Sequence, residues 1–382
     1  MIYLDAAATS GYSNIDDIIV DTMTLTMRDS WINPSSLYAA NVKDKVNKCR
    51  VNVAEFINAK PDEIYYTSGG SESNSWAIQG FVNQCFSEGK KPCVITSTIE
   101  HKSIIECVNN LNYADVNYIN VDEYGFVNVD ELRNTMLEKA LSDYKILVSI
   151  QFANNEVGTI QDIKVIAEEV HRFNGVLHTD AVQAFGHIPI NVEDLGVDLM
   201  SVSAHKISPV LRGIGFLYKK NGVNIQPIIY GSQESGLRGG TTNTYGIIGL
   251  NKALEYCDIS QKKIDEICKK RDYFISLLES KFDCELNGDS YYRLPNNVNV
   301  TFSQNITGEA LLYMLDMSDI KISTSSACNS KEVLPSHVLK AIGLTDENAM
   351  KTVRITLSND VTYEEIHKTV EEIGKSIKLI ET

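Results

Sequence analysis

Short apolar runs punctuate the first 220 residues: Glu63–Thr67, Pro92–Thr96, Lys145–Ile150, Gly175–Thr179, Asp198–Val202 and Gly215–Tyr218. Runs this short, apolar on consecutive positions and bounded by turn formers, read as strands buried on both faces. Between most of them the apolar residues recur at helical spacing, as from Ser73 to Cys85 and from Ile163 to Phe173. Alternating strands and helices predict an α/β fold, a mainly parallel sheet flanked by helices. Beyond about residue 255 the texture changes to a charged helix (Ser260 to Lys281), strand patterns at Asn297–Phe302 and Thr352–Leu357, and further helices. This predicts a smaller α+β C-terminal domain. The expected division is 13–255 for the large domain, with 1–12 and 256–382 forming the small one. No repeat of 20 to 50 residues and no low-complexity linker interrupts this order.

Composition narrows the function classes. With 382 residues, 43% of them hydrophobic, the chain can bury a large core. A net charge of -15 and a pI near 5.0 argue against nucleic acid as a partner. The start, Met1-Ile2-Tyr3-Leu4-Asp5, has neither a basic leader nor an apolar stretch, and no apolar run approaches the ~20 residues of a spanning helix. A cytoplasmic protein with no membrane segment is expected. Eight cysteines lie far apart with no CxxC pair, so reduced thiols are expected rather than a disulfide or zinc framework. His171, His178 and His187 belong to no HExxH or Cys/His cluster; they read as surface or cofactor-adjacent residues, and no metal site is expected. The 18 tyrosines and 11 phenylalanines accompany no basic stripe and read as core and interface.

Candidate chemistry collects at strand ends. Ser203-Ala204-His205-Lys206 follows an apolar strand, which sets an amine at the carboxyl end of the sheet, where open α/β folds build their sites. A partly desolvated lysine has a lowered pKa and a free amine able to attack an aldehyde. Alone, Lys206 reads as an ordinary solvated loop residue. His178-Thr179-Asp180-Ala181-Val182-Gln183 ends another strand; Asp180 suits the carboxylate that keeps the ring nitrogen of pyridoxal phosphate (PLP) protonated, or a helix N-cap. In Thr67-Ser68-Gly69-Gly70-Ser71-Glu72-Ser73-Asn74 a strand passes through two glycines into a helix, and the amides and hydroxyls there form a phosphate cup. Cup, carboxylate and lysine in this order read together as a PLP site.

Those motifs, with Tyr3–Thr9, Asn33–Ser36, Glu100-His101-Lys102, Asn154–Gly158, Arg238–Thr241, Thr324–Cys328 and Val353-Arg354, run nearly end to end, and the chain resembles the cysteine desulfurases of the NifS/IscS type. These are fold-type I PLP enzymes of the class V aminotransferase group. The resemblance implies that Lys206 carries PLP as a Schiff base and that Asp180 meets the ring nitrogen. It implies that His101 stacks on the ring and moves protons, and that Gln183 and Asn155 lie near the phenolic oxygen. Gly70, Ser71, Ser203 and His205 would bind the phosphate, with Thr241 reaching the phosphate of a neighbouring subunit in a homodimer. Arg354 and Asn33 would bind the substrate carboxylate, and a bidentate guanidinium suits that task.

Cys328 lies in the small, polar stretch Ile322 to Ser330, which predicts a mobile loop at about 320–332. A thiolate there could take sulfur from L-cysteine, leaving alanine and a persulfide to pass to an acceptor such as an iron-sulfur scaffold or a thiolation enzyme. The same resemblance leaves open a selenocysteine lyase, a class V aminotransferase, or a non-catalytic sulfur-relay partner. Two segments depart from the family pattern. Ser208-Pro209-Val210-Leu211-Arg212 is one residue longer than the tetrapeptide usual after the lysine, and Ser235 stands where relatives often carry arginine.

Overall fold

The computed structural model describes residues 1–381 except Leu37, Ser325, Ser326, Ser330 and Lys331, with backbone alone at 327–329, 332, 333 and 381. Its main feature is a seven-stranded sheet: β1 (Ile64–Thr67), β2 (Lys91–Ser97), β3 (Asp115–Ile119), β4 (Tyr144–Ser149), β5 (Val176–Asp180), β6 (Leu199–Ser203) and β7 (Gly215–Lys219), in the order β1-β7-β6-β5-β4-β2-β3. Only β7 runs antiparallel to its neighbours. The strand alternation sends Tyr65, Val94, Leu147, Leu199 and Leu217 to one face, against α1 (Gly70–Ser87) and α2 (Lys102–Asn109). Tyr66, Ile95, Val148, Met200 and Phe216 point to the other face, against helices Ala40–Phe56, Val129–Leu141, α3 (Ile163–Arg172) and Thr244–Glu255. Six of the strands follow the apolar runs in the sequence. The seventh, β3, lies at the sheet edge, where half-exposed Asp115 and Asn117 break up its apolar signal.

A second, four-stranded antiparallel sheet is built from β8 (Cys284–Leu286), β9 (Asn297–Phe302), β10 (Ser323–Thr324) and β11 (Thr352–Thr356), in the order β10-β11-β9-β8. Helices Gln261–Lys281, Gly308–Met317 and Tyr363–Glu381 cover it through Phe274, Leu278, Leu311, Leu315, Ile366 and Val370. The N-terminus joins this part: Ile2–Tyr3 pairs in parallel with Ile320–Lys321, and Leu4 is buried in the same apolar cluster.

The segment expected as a loop is only partly one. Besides Ile320–Lys321 and β10, Ala327–Asn329 pairs antiparallel with Glu332–Leu334, setting the backbone of Cys328 opposite Val333. Pairing satisfies N–H and C=O groups that small polar side chains cannot cover. Among the described residues, no helix is long and apolar enough to cross a membrane.

Candidate active site

Five strands running the same way, β1, β2, β4, β5 and β6, end at Thr67, Ser97, Ser149, Asp180 and Ser203 on one edge of the large sheet. At that edge lies a cavity of about 390 Å³. Ala7, Ala8, Gly70, Ser71, Asn74, His101, Asn155, Asp180, Gln183, Ser203, His205, Lys206 and Arg354 are among the residues lining it. Residues quoted from seven separate stretches of sequence therefore surround one space.

Gly70 opens α1, so the helix N-terminus faces the cavity with the partial positive charge of its free N–H groups. A Cβ on Gly70 would meet Val182 Cγ2 at 2.7 Å, so only glycine allows this approach. One helical turn on, Asn74 shares the face of Gly70 and donates its amide to Asp180 Oδ2 at 2.7 Å and to Ser103 Oγ at 2.9 Å. The backbone N–H of Val182 donates to Asp180 Oδ1 at 2.9 Å. The carboxylate is thereby fixed on both oxygens.

Lys206 ends a single 3₁₀ turn directly after β6. Its Nζ donates to the carbonyl oxygens of Ala7 at 2.5 Å and Ala8 at 2.9 Å, and Gln183 Nε2 also donates to Ala7 at 3.0 Å. Burial, helped by the charge of Arg354, lowers the lysine pKa from 10.5 to about 8, against the pull of Asp180 and Asp5. Burial and the neighbouring Lys206 push His205 down to about 4, so at neutral pH its ring is neutral; Nδ1 stands 3.2 Å from Thr9 Oγ1. His101 is the N-cap of α2, its Nδ1 accepting the Ser103 N–H at 3.1 Å. The cavity mouth exposes its ring to solvent, yet it sits deep among protein atoms, and that burial lowers its pKa.

Beneath His101, Glu100 is wholly buried. Its Oε1 accepts from Ser97 Oγ at 2.5 Å and from the Gln151 N–H at 3.0 Å. Burial raises its carboxyl to about 8 despite those two bonds. Arg354, on β11, donates Nη2 to Asp5 Oδ1 at 2.8 Å and Nη1 to the Asn155 carbonyl at 3.2 Å, while its buried Nε has no partner.

Some expected residues lie elsewhere. Asn33 is exposed, its Oδ1 accepting the Ser35 N–H at 3.0 Å, and it does not line the cavity. Thr241 is exposed beside a separate hollow of about 120 Å³ shared with Tyr66, Thr67, Ser68 and Arg238. Arg238 ties that strip to the phosphate cup through a two-pronged ion pair with Glu72, at 2.8 and 3.0 Å. The side chain of Cys328 and residues Ser325 and Ser326 of its motif lie outside the described residues. His178, expected at the surface or beside the cofactor, is buried between Ser149 Oγ at 2.8 Å and Ser201 Oγ at 2.9 Å, and burial lowers its pKa to about 3. It is a strand-to-strand bridge. His171 pairs with Asp198 at 2.8 Å. Among the described residues, no group of three or more His, Cys, Asp or Glu is placed to hold a metal ion.

The departures from the family pattern also have a structural setting. Ser208 donates its hydroxyl to Asp16 Oδ1, a buried acid that also accepts from the N–H of Ser13, so the longer segment after Lys206 is tied to the first long helix, Asn14–Asp29. Ser235 follows Glu234, whose carboxylate is clasped by Arg50 at 2.7 and 2.8 Å.

Several contributors carried little sequence signal. Asn74 could have been found from its four-residue spacing after Gly70. Glu100 and Asp5 sit inside quoted motifs, but nothing local shows that the first is buried or that the second meets Arg354. The carbonyls of Ala7 and Ala8 leave no trace in sequence.

The sheet, the strand-end site and the second small domain are the architecture of fold type I. The class-V aminotransferase family profile matches residues 2–369. The chain belongs to the class-V aminotransferase family and, within it, groups with the NifS/IscS-type cysteine desulfurases. It is 39% identical over 388 residues to cysteine desulfurase IscS of Dictyoglomus turgidum, covering 100% of this chain and 95% of that one. Against cysteine desulfurase IscS of Clostridium botulinum it is 42% identical, covering 99% and 94%. A solved NifS-like protein superposes with a TM-score of 0.89 at 32% identity, covering 99% of both chains. The structure of SspA in complex with cysteine superposes with a TM-score of 0.80 at 31% identity, covering 94% of this chain and 99% of that one.

Proposed function

We propose that the chain is a PLP-dependent cysteine desulfurase converting L-cysteine to L-alanine, with the sulfur received as a persulfide on Cys328. One observation carries this reading: Lys206, Asp180 and the Gly70–Ser71 helix start surround one cavity. The donor set suits PLP. Gly70, Ser71, Ser203 and neutral His205 would take the phosphate, the last two without adding a positive charge. Asp180, held on both oxygens, would pair with the ring nitrogen. Lys206 would hold the aldehyde carbon, and Gln183 and Asn155 would flank the phenolic oxygen. When bound, PLP supplies an electron sink for bond cleavage at the substrate amino acid.

The protein's own groups divide the remaining work. Lys206, with its pKa near 8, exchanges a proton close to neutral pH. His101 is held largely neutral; its Nδ1 accepts the Ser103 N–H, so the ring carries its proton on Nε2 and can donate it there. Arg354, which lines the cavity, would bind the substrate carboxylate; Asn33 does not line it, and its Oδ1 accepts the Ser35 N–H. The net change is balanced: the C–S bond of cysteine breaks, an S–S bond forms at Cys328, and the thiol proton is matched by a proton delivered to the alanine methyl carbon.

The reading extends to a cytoplasmic homodimer in which Thr241 of a second copy completes the phosphate site. An iron-sulfur scaffold or thiolation enzyme would be the acceptor. The two apolar clusters support a large domain over 13–255 and a small one over 1–12 and 256–382. The test is direct. The purified protein should carry the visible absorption of PLP and release alanine from L-cysteine. Lys206→Ala should lose that absorption on desalting, and Cys328→Ser should keep it while forming no persulfide. Unchanged persulfide in Cys328→Ser would overturn the role of that thiol.

A further inference from the structure

The short helix His337–Ala341 follows the Cys328 hairpin in the chain, and side chains at its start bond to two loops bordering the cavity. Ser336, its N-cap, accepts the N–H groups of Val338 at 3.0 Å and Leu339 at 3.4 Å. Its hydroxyl donates to Glu156 Oε2 at 2.6 Å, with both residues buried. His337 Nε2 lies 2.9 Å from the carbonyl oxygen of Glu100; a carbonyl only accepts, so Nε2 carries the proton. Behind these bonds Val338, Leu339 and Ile342 pack with Ile99 and Val157 in an apolar cluster of their own.

Both glutamates adjoin cavity residues, Glu100 preceding His101 and Glu156 following Asn155. One helical turn is therefore fastened to the two loops that deliver His101 and Asn155. On its other side only Pro335, with its fixed φ, separates Ser336 from Leu334, the last residue of the strand paired with Ala327–Asn329. Slack between hairpin and helix is small. Eight positions separate Cys328 from Ser336, so the thiol-bearing residue stays within about 27 Å of the attachment even if the chain extends fully.

We propose that Ser336 and His337 are positioning residues for sulfur transfer, fixing the root of the Cys328 hairpin to the loops that carry His101 and Asn155. The inference rests on the desulfurase reading above. Removing either bond loosens the registration of the thiol against the cavity while leaving the PLP-binding groups in place. Misregistration of a reacting group costs rate rather than binding.

The experiment uses the full-length, PLP-loaded protein. It follows alanine release, Cys328 persulfide by mass spectrometry after thiol alkylation, and the change in PLP absorption on titrating L-cysteine. Ser336→Ala and His337→Ala are expected to slow alanine release and persulfide formation about tenfold. The L-cysteine concentration that half-saturates the absorption change should not move. Ser336→Thr and His337→Gln, which keep a donor, should recover most of the rate. In a Cys328→Ser background, neither alanine variant should alter the rate of the absorption change. An equal slowing in that background, a raised half-saturation, or no loss from either variant would overturn the proposal. If Ser336→Ala does not fold, the comparison of His337→Ala with His337→Gln decides the matter, since half-exposed His337 gives up one hydrogen bond. A wild-type protein that neither releases alanine nor forms the Cys328 persulfide would instead defeat the desulfurase reading.

Discussion

Lys206 is half-buried beside Arg354, and both the desolvation and that positive charge disfavour its ammonium form, bringing its pKa from 10.5 to about 8. Below about pH 8 the amine is protonated; above it the amine is neutral and has the lone pair that attacks an aldehyde. The rate at which apo-protein captures PLP, followed by visible absorption, should therefore rise about tenfold per pH unit up to about 8 and then level. A rate still climbing at about pH 10 would show a solvated lysine. Lys206, Asp180 and Gly70 were legible because each is a chemically distinctive residue at the end of a strand pattern. Asn74 was legible only as a helix-face neighbour of Gly70; its partner Asp180, 106 residues away, was not. Likewise the shifts on Glu100 and His178 arise from burial, which no single residue announces.

At the scale of elements, the loop Asn154–Gly158 shows how a turn is held for function. Asn154 Oδ1 accepts the N–H groups of Glu156 at 2.8 Å and Val157 at 2.9 Å, closing the loop on itself. Gly158 then takes φ = 79°, and a Cβ there would lie 2.5 Å from Asn297 Oδ1, the side chain whose Nδ2 donates to the Glu156 carbonyl at 2.9 Å. Alanine is excluded by conformation and by space. Gly158→Ala should cost about 2 kcal/mol, read as a lower urea midpoint at unchanged slope, and should reduce activity by shifting Asn155. An unchanged midpoint would mean that the loop relaxes freely. Element type was the most legible level: β9 matches its sequence pattern from Asn297 to Phe302, and the helix over Gln261–Lys281 differs by one residue. The sequence of the Cys328 segment reads as loop because its pairing depends on Glu332–Leu334, a partner with no strong pattern of its own.

For the whole molecule, the first nine residues have an importance out of proportion to their length. Leu4 is fully buried in the small-domain cluster, and its backbone joins β11 through the Thr356 N–H at 2.7 Å. The next residues supply Asp5 to Arg354 and the Ala7 and Ala8 carbonyls to Lys206. Leu4→Ala should lower stability by about 2–5 kcal/mol in urea unfolding, and should weaken PLP retention because Ala7 and Ala8 lose their seat. Stability equal to wild type would remove the N-terminal segment from the core.

The sequence by itself determined the alternation of strands and helices, the change of texture near residue 255, and the residues able to do chemistry at strand ends. Those features depend on contacts within a few residues, which hydrophobic spacing records directly. Only the tertiary structure decided which distant groups meet: Asp5 with Arg354, Asn74 with Asp180, the first alanines with Lys206, and Ser336 with Glu156. Such pairs are chosen when two apolar clusters close around the cavity, and the burial that shifts Lys206, Glu100 and His178 exists only once they have closed.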